Sequence, residues 1–174
     1  LDTDGAAGGN TIKYLITTLD GVSPGGLTAA NLFGGASPAP PSSSGAGQVL
    51  TSGYPGATLV GSTGADTLIA SQGADQLTGG AGADAFVFKA LPWSAGHITD
   101  FQVGVDKLDL RSIFAAAGYA GSNPTADGTL AFMSDGLGDT RVMFHVPGAA
   151  WSTIISTLDH VEASNLRSSD WLFH

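Results

Sequence analysis

The chain has 174 residues, 26 of them glycine, and sets 15 acidic residues against six Lys and Arg for a formal net charge of −9. That balance excludes nucleic-acid binding, which needs a basic face, and the absence of cysteine excludes disulfides and thiolate metal sites. No apolar run approaches the roughly 18 residues of a membrane span, and all the acids but Glu162 are Asp, a residue of turns and ion sites rather than of helices.

The chain opens without Met and without a basic-then-apolar signal segment, so it reads as a piece cut from something longer. Ile16–Val22 followed by Leu27–Phe33 is repeated loosely by Ile155–Val161 followed by Leu166–Phe173. Residues 1–33 are therefore expected to be the tail of a preceding, related β module. Residues 34–48, rich in Pro, Ser and Gly and without an apolar period, read as a linker.

Three nonapeptides then stand in tandem: GSTGADTLI at 61–69, ASQGADQLT at 70–78 and GGAGADAFV at 79–87. Each repeats Gly-x-Asp-x-apolar in one frame, and the third fits the pattern GGxGxDxUx at every fixed position. Gly64, Gly73 and Gly82 bend the chain, and the three residues after each Asp form a short strand whose middle residue, Leu68, Leu77 or Phe86, points inward. Leu59 continues that ladder upstream. A hard cation such as calcium takes roughly 6 to 8 oxygens, which glycine-rich turns supply from main-chain carbonyls and a short Asp completes with charge. The candidate ligands are Asp66, Asp75 and Asp84 with the turn residues Gly61, Thr63, Gly64, Gly79, Ala81 and Gly82.

Each full coil uses two nonapeptides, so turns 18 residues apart stack on one side. Asp66 then lies over Asp84, and the pair is placed to share one ion. In the same register Asp75 faces Ala57 and Trp93, so its side is incomplete unless a later acid completes it. The expected architecture is all-β: a short parallel β-roll over residues 49–88 with calcium-binding turns, capped by an antiparallel β region over 89–174. In that cap Phe86–Phe88, Ile98–Phe101, Lys107–Leu110, Leu130–Met133, Arg141–Val146 and Ile154–Leu158 read as strands, and Ser112–Ala117 as one short helix ended by Gly118.

GGAGADAFVF followed by ITDFQVGVDKLDL resembles the C-terminal region of RTX proteins, the calcium-binding repeat proteins exported by bacterial type I secretion. This region occurs in serralysin-type proteases, mannuronan epimerase R-modules and many adhesins. The resemblance spans about residues 49–174 and implies that Asp100, Asp106 and Asp109 bind or frame the last calcium, with Asp100 or Asp109 supplying what Asp75 lacks. It also implies that Asp170–Phe173, an acid followed by apolar residues, is an export signal read by the transporter. The alternative for that segment is a final strand burying Trp171 and Phe173.

Catalytic patterns are lacking. A zinc protease of the His-Glu-x-x-His type is excluded because Glu162 is the lone Glu. His97, His145, His160 and His174 are scattered, and no serine has a Gly-x-Ser-x-Gly context. The expectation is a non-enzymatic, calcium-binding C-terminal module of a secreted RTX protein that folds on calcium binding after export, any catalytic domain lying elsewhere in the parent protein. One alternative is an adhesin or a module binding cell-surface polysaccharide through Tyr54, Trp93 and Tyr119. Another is a lyase or epimerase fragment with its own active site.

Overall fold

The computed structural model describes residues 45–174. The expected upstream module, 1–33, and the linker up to residue 44 lie outside the described residues. Eleven short strands, one α-helix and two 3-10 turns follow among these residues: β1 Val49–Thr51, β2 Thr58–Val60, β3 Thr67–Ile69, β4 Gln76–Thr78, β5 Ala85–Val87, β6 Gly96–Ile98, β7 Lys107–Asp109, α1 Arg111–Ala116, β8 Leu130–Ser134, β9 Thr140–His145, β10 Ser152–Leu158, the 3-10 turns Ala163–Asn165 and Ser168–Asp170, and β11 Trp171–Leu172.

The strands alternate between two sheets. One runs β1-β3-β5-β7-β11, all parallel, and the other runs β2-β4-β6-β10-β9-β8. Four strands of the second sheet, β2, β4, β6 and β10, are parallel; β9 pairs antiparallel with β10, and β8 antiparallel with β9. This is the expected parallel roll with an antiparallel extension. The coil does not stop at residue 88, however: β6 and β7 form a further turn, and β10 and β11 complete a last one.

Side-chain alternation along each strand sends one residue of every three inward. The first sheet stacks Leu50, Leu68, Phe86, Leu108 and Trp171 in register. The second stacks Leu59, Leu77, Ile98 and Leu158. Leu68, Phe86, Leu108, Ile98 and Leu158 have no exposed surface, and burial of each is worth about 1.5–3 kcal/mol. A three-residue strand cannot hold itself together, so this ladder and the turns at each edge carry the roll.

The C-terminal end is closed by a second packing centre. Phe114 of α1 meets Phe144 of β9 edge-on at 5.1 Å, and Phe173 at 5.6 Å. The helix covers Arg111–Ala116, one residue earlier than expected, and Gly118 at φ 64° ends it. Beyond it, β11 docks on β7, so the apolar tail is the last rung of the roll: Trp171 and Asp170 are buried.

Candidate metal centre

The turns fall on two edges. The first edge carries 61–66, 79–84, 99–106 and the segment leading into β11; the second carries 52–57, 70–75 and 88–95. Along the first edge Asp66 and Asp84 are one coil apart, 18 residues, and the Asp66 N–H donates to Asp84 Oδ1 at 2.8 Å. The same bond recurs in both directions. Gln48 N–H donates to Asp66 Oδ1 at 2.6 Å, and Asp84 N–H donates to Asp106 Oδ1 at 3.0 Å. Gly104 N–H donates to Asp170 Oδ1 at 2.9 Å. Asp66, Asp84, Asp106 and Asp170 are each 1% exposed or less. A buried column of carboxylates thus runs down one edge of the molecule.

Most of these carboxylates are also closed by a donor in their own turn. Ser62 N–H donates to Asp66 Oδ2, Gln102 N–H to Asp106 Oδ2 at 2.8 Å, and Arg167 N–H to Asp170 Oδ2 at 2.8 Å. Asp84 is different. The corresponding donor, Gly80 N–H, goes instead to Asp100 Oδ2 at 2.8 Å, while Gly79 N–H goes to Asp100 Oδ1 at 2.8 Å. The Gln102 side chain further holds the Gly80 carbonyl at 3.0 Å. Gly80 and Gly82 sit at φ 93° and 127°, a region that only glycine enters without strain. Asp84 Oδ2 is consequently buried without a hydrogen-bond donor, alone in that respect among buried side-chain polar atoms of the described residues.

An unpartnered buried carboxylate oxygen is costly unless a cation meets it. The surroundings of Asp84 fit one. A Cβ on Gly79 would run into Asp84 Oδ2, one on Gly61 into the Gly79 carbonyl and Asp66 Oδ2, and one on Gly82 into the Gly64 carbonyl. The glycines therefore let turns 61–66 and 79–84 approach closely, with Asp84 Oδ2, Asp66 Oδ2 and main-chain carbonyls at the contact. Among the described residues no three carboxylate or imidazole groups converge to hold a metal by side chains alone, so an ion here must draw on carbonyls as well. Burial, chiefly, pushes the Asp84 carboxyl above its ordinary range, and the charges of Asp106, Asp66 and Asp100 add to it against the opposing Asp66 N–H. Burial raises Asp106 likewise.

The other candidates are spread over both edges and β7. Thr63 is on the surface of its turn, its Oγ1 accepting Gly45 N–H at 3.3 Å, and Ala81 N–H donates to the Ser62 carbonyl at 3.1 Å. Asp75 is on the second edge. Gln76 pairs with His97, 21 residues on, so Asp75 faces Gly96 and not Trp93 as an 18-residue register requires. Asp100 is on the first edge, and Asp109 is held by Arg111 at 2.9 and 2.6 Å, an ion pair that lowers its pKa. Neither reaches Asp75: Asp100 is bound to the Gly79 and Gly80 N–H groups of a first-edge turn, and Asp109 lies in β7.

Sequence reasoning placed Asp106 only through a family resemblance, although Gly104-Val-Asp106-Lys-Leu108 repeats the Gly-x-Asp-x-apolar pattern. It falls 22 residues after Asp84, outside the nine-residue frame. Of the aromatic candidates, Tyr54 and Trp93 are exposed, whereas Tyr119 packs on Phe114 and donates to Asp127 at 2.5 Å.

Residues 53–86 match the family model of the RTX calcium-binding nonapeptide repeat, in four copies, which adds the stretch from Gly53 to the three copies read above. This segment is an RTX repeat region. RTX nonapeptide repeats bind calcium, a hard cation suited to carboxylate and carbonyl oxygens. Among curated protein sequences there is no match. Among solved structures, the AlgE6R3 subunit of the Azotobacter vinelandii mannuronan C5-epimerase is similar, with a TM-score of 0.50 and 21% identity over 79% of this chain and 86% of that one. The likeness is one of fold.

Because burial raises Asp84, the calcium-free fold prefers it protonated, and that preference is present at low pH and lost as pH rises through the raised value. Asp84→Asn is expected to raise the melting temperature in chelator at pH 7 by several degrees, through relief of an unsatisfied buried charge worth about 1–3 kcal/mol. It also flattens the fall in stability between acidic and neutral pH. A lower melting temperature for the variant in chelator contradicts the assignment of Asp84 as the strained carboxylate.

Proposed function

We propose that this chain is the calcium-binding C-terminal module of a secreted RTX protein, unfolded during type I export and folded by calcium outside the cell. The observation that carries the reading is the buried column Asp66, Asp84, Asp106 with one carboxylate oxygen left open at Asp84. Asp84 and Asp66, with carbonyls of turns 61–66 and 79–84, hold the ion; Asp100 and Asp106 frame it. Bound calcium supplies the positive charge that offsets the packed carboxylates.

In a calcium-poor cytosol the first-edge carboxylates repel one another, and burying them opposes coiling. That favours an extended chain, which suits passage through a narrow channel. In calcium-rich surroundings, binding free energy becomes folding free energy. Ligand at a hundred times its dissociation constant adds about 2.7 kcal/mol of stability, a large share of what a domain possesses. The tail Asp170–Phe173 serves as the export signal while the chain is unfolded and becomes β11 afterwards, which reconciles the two readings of that segment.

Circular dichroism during calcium titration tests the reading. Wild-type chain gains β structure and melting temperature with calcium; Asp66→Ala weakens both and lowers calcium affinity about tenfold or more, the loss of one charged ligand. Unchanged values in the variant sink the Asp66/Asp84 site.

A second reading, binding of cell-surface polysaccharide, is favoured by Trp93. This residue is 69% exposed. It lines a cavity of about 380 Å³ with Pro92, Ala95, Ser152, Thr153 and Ile154, an aromatic face beside two hydroxyls. Glycan-array binding that disappears in Trp93→Ala supports it, and an array without signal disposes of it.

A further inference from the structure

The second edge of the roll is built differently from the first. Its one acid, Asp75, is 2% exposed and fully engaged by the protein. Gly56 N–H and Ala57 N–H, from the previous coil, each donate to Asp75 Oδ1 at 2.8 Å. Ser71, four residues before it, supplies the rest: its N–H donates to Asp75 Oδ2 at 2.6 Å and its hydroxyl to Oδ1 at 3.0 Å. The same hydroxyl accepts Gly73 N–H at 3.0 Å, so one side chain ties both ends of the turn.

No second acid stands on this edge. The residues in register with Asp75 are Ala57 and Gly96, and a Cβ on Gly96 would collide with the Asp75 main chain. A calcium ion at this turn would have to displace donors already in place and find nearly all its remaining oxygens among neutral groups. The contrast lies at one position of the nonapeptide. The second copy carries Ser71 where the third carries Gly80, which has no hydroxyl and whose N–H is taken by Asp100.

We propose that Ser71 closes the 70–75 turn in place of a cation, so that the roll binds calcium along its first edge only and Asp75 is a structural carboxylate. The inference rests on the calcium reading above and departs from the repeat pattern, in which Asp75 counts as a ligand like the others. Asp66 shares the serine closure, through Ser62, but stands in register with the open oxygen of Asp84. Asp75 has no such neighbour.

Calcium counting by isothermal titration, with melting temperatures in chelator and in calcium, tests this on the whole chain. Asp75→Asn and the milder Ser71→Ala are expected to melt lower than wild type by the same amount in both conditions, with the number of bound ions unchanged. Asp84→Asn loses an ion and the calcium-induced rise. An ion lost in Asp75→Asn while the Asp84 site remains filled overturns this inference alone, as does a calcium-induced rise cut by half or more in Ser71→Ala. Wild-type chain that binds no calcium overturns both this inference and the export reading.

Discussion

The structure depends on burying aspartate carboxylates between coils, where each accepts a main-chain N–H from the turn of the coil before it. Gln48 to Asp66, Asp66 to Asp84, Asp84 to Asp106 and Gly104 to Asp170 are successive links of one column. An Asp is short enough to reach the neighbouring backbone and charged enough to make the bond strong. The cost is a row of like charges out of water, which only donors or a cation can offset. Every other feature of the roll answers that constraint.

Glycines are required because the coils approach so closely that a Cβ at Gly61, Gly79 or Gly82 would strike a carbonyl or a carboxylate. The three-residue strands follow from the same spacing, since each coil must return its next Asp to the column. The inward ladder of Leu, Phe and Ile supplies the apolar burial that holds the coils at that distance. Donors engage both carboxylate oxygens of Asp66, Asp75, Asp106 and Asp170, and only Asp84 keeps an oxygen without a donor, because Asp100 has drawn off the N–H groups of its turn. The proposed calcium-dependent folding and the fold thus draw on the same bonds.

The roll was legible in the sequence because the nine-residue frame dictates strand position, inward residue and edge together. Strands β3, β4 and β5 and the pairing of Asp66 with Asp84 follow from it directly. Legibility ended where the frame did. Insertions after β5 moved Asp75 opposite Gly96 and brought Asp106 into the column from 22 residues away. Ser71 was invisible for another reason: a serine at a variable repeat position carries no pattern, and its role appears only when its hydroxyl is seen between Asp75 and Gly73. Asp170 lacks the preceding glycine of the other copies, so its place as the last rung could be known only from the docking of β11 on β7.

On the proposed function, calcium at the first edge is a source of folding free energy for the roll. Residue-resolved amide hydrogen exchange, in chelator and in millimolar calcium, addresses it most directly. Amides of Thr67–Ile69 and Ala85–Val87, which follow the Asp66 and Asp84 turns, are expected to gain about tenfold or more protection with calcium. Equal protection of these strands in the two conditions would contradict it.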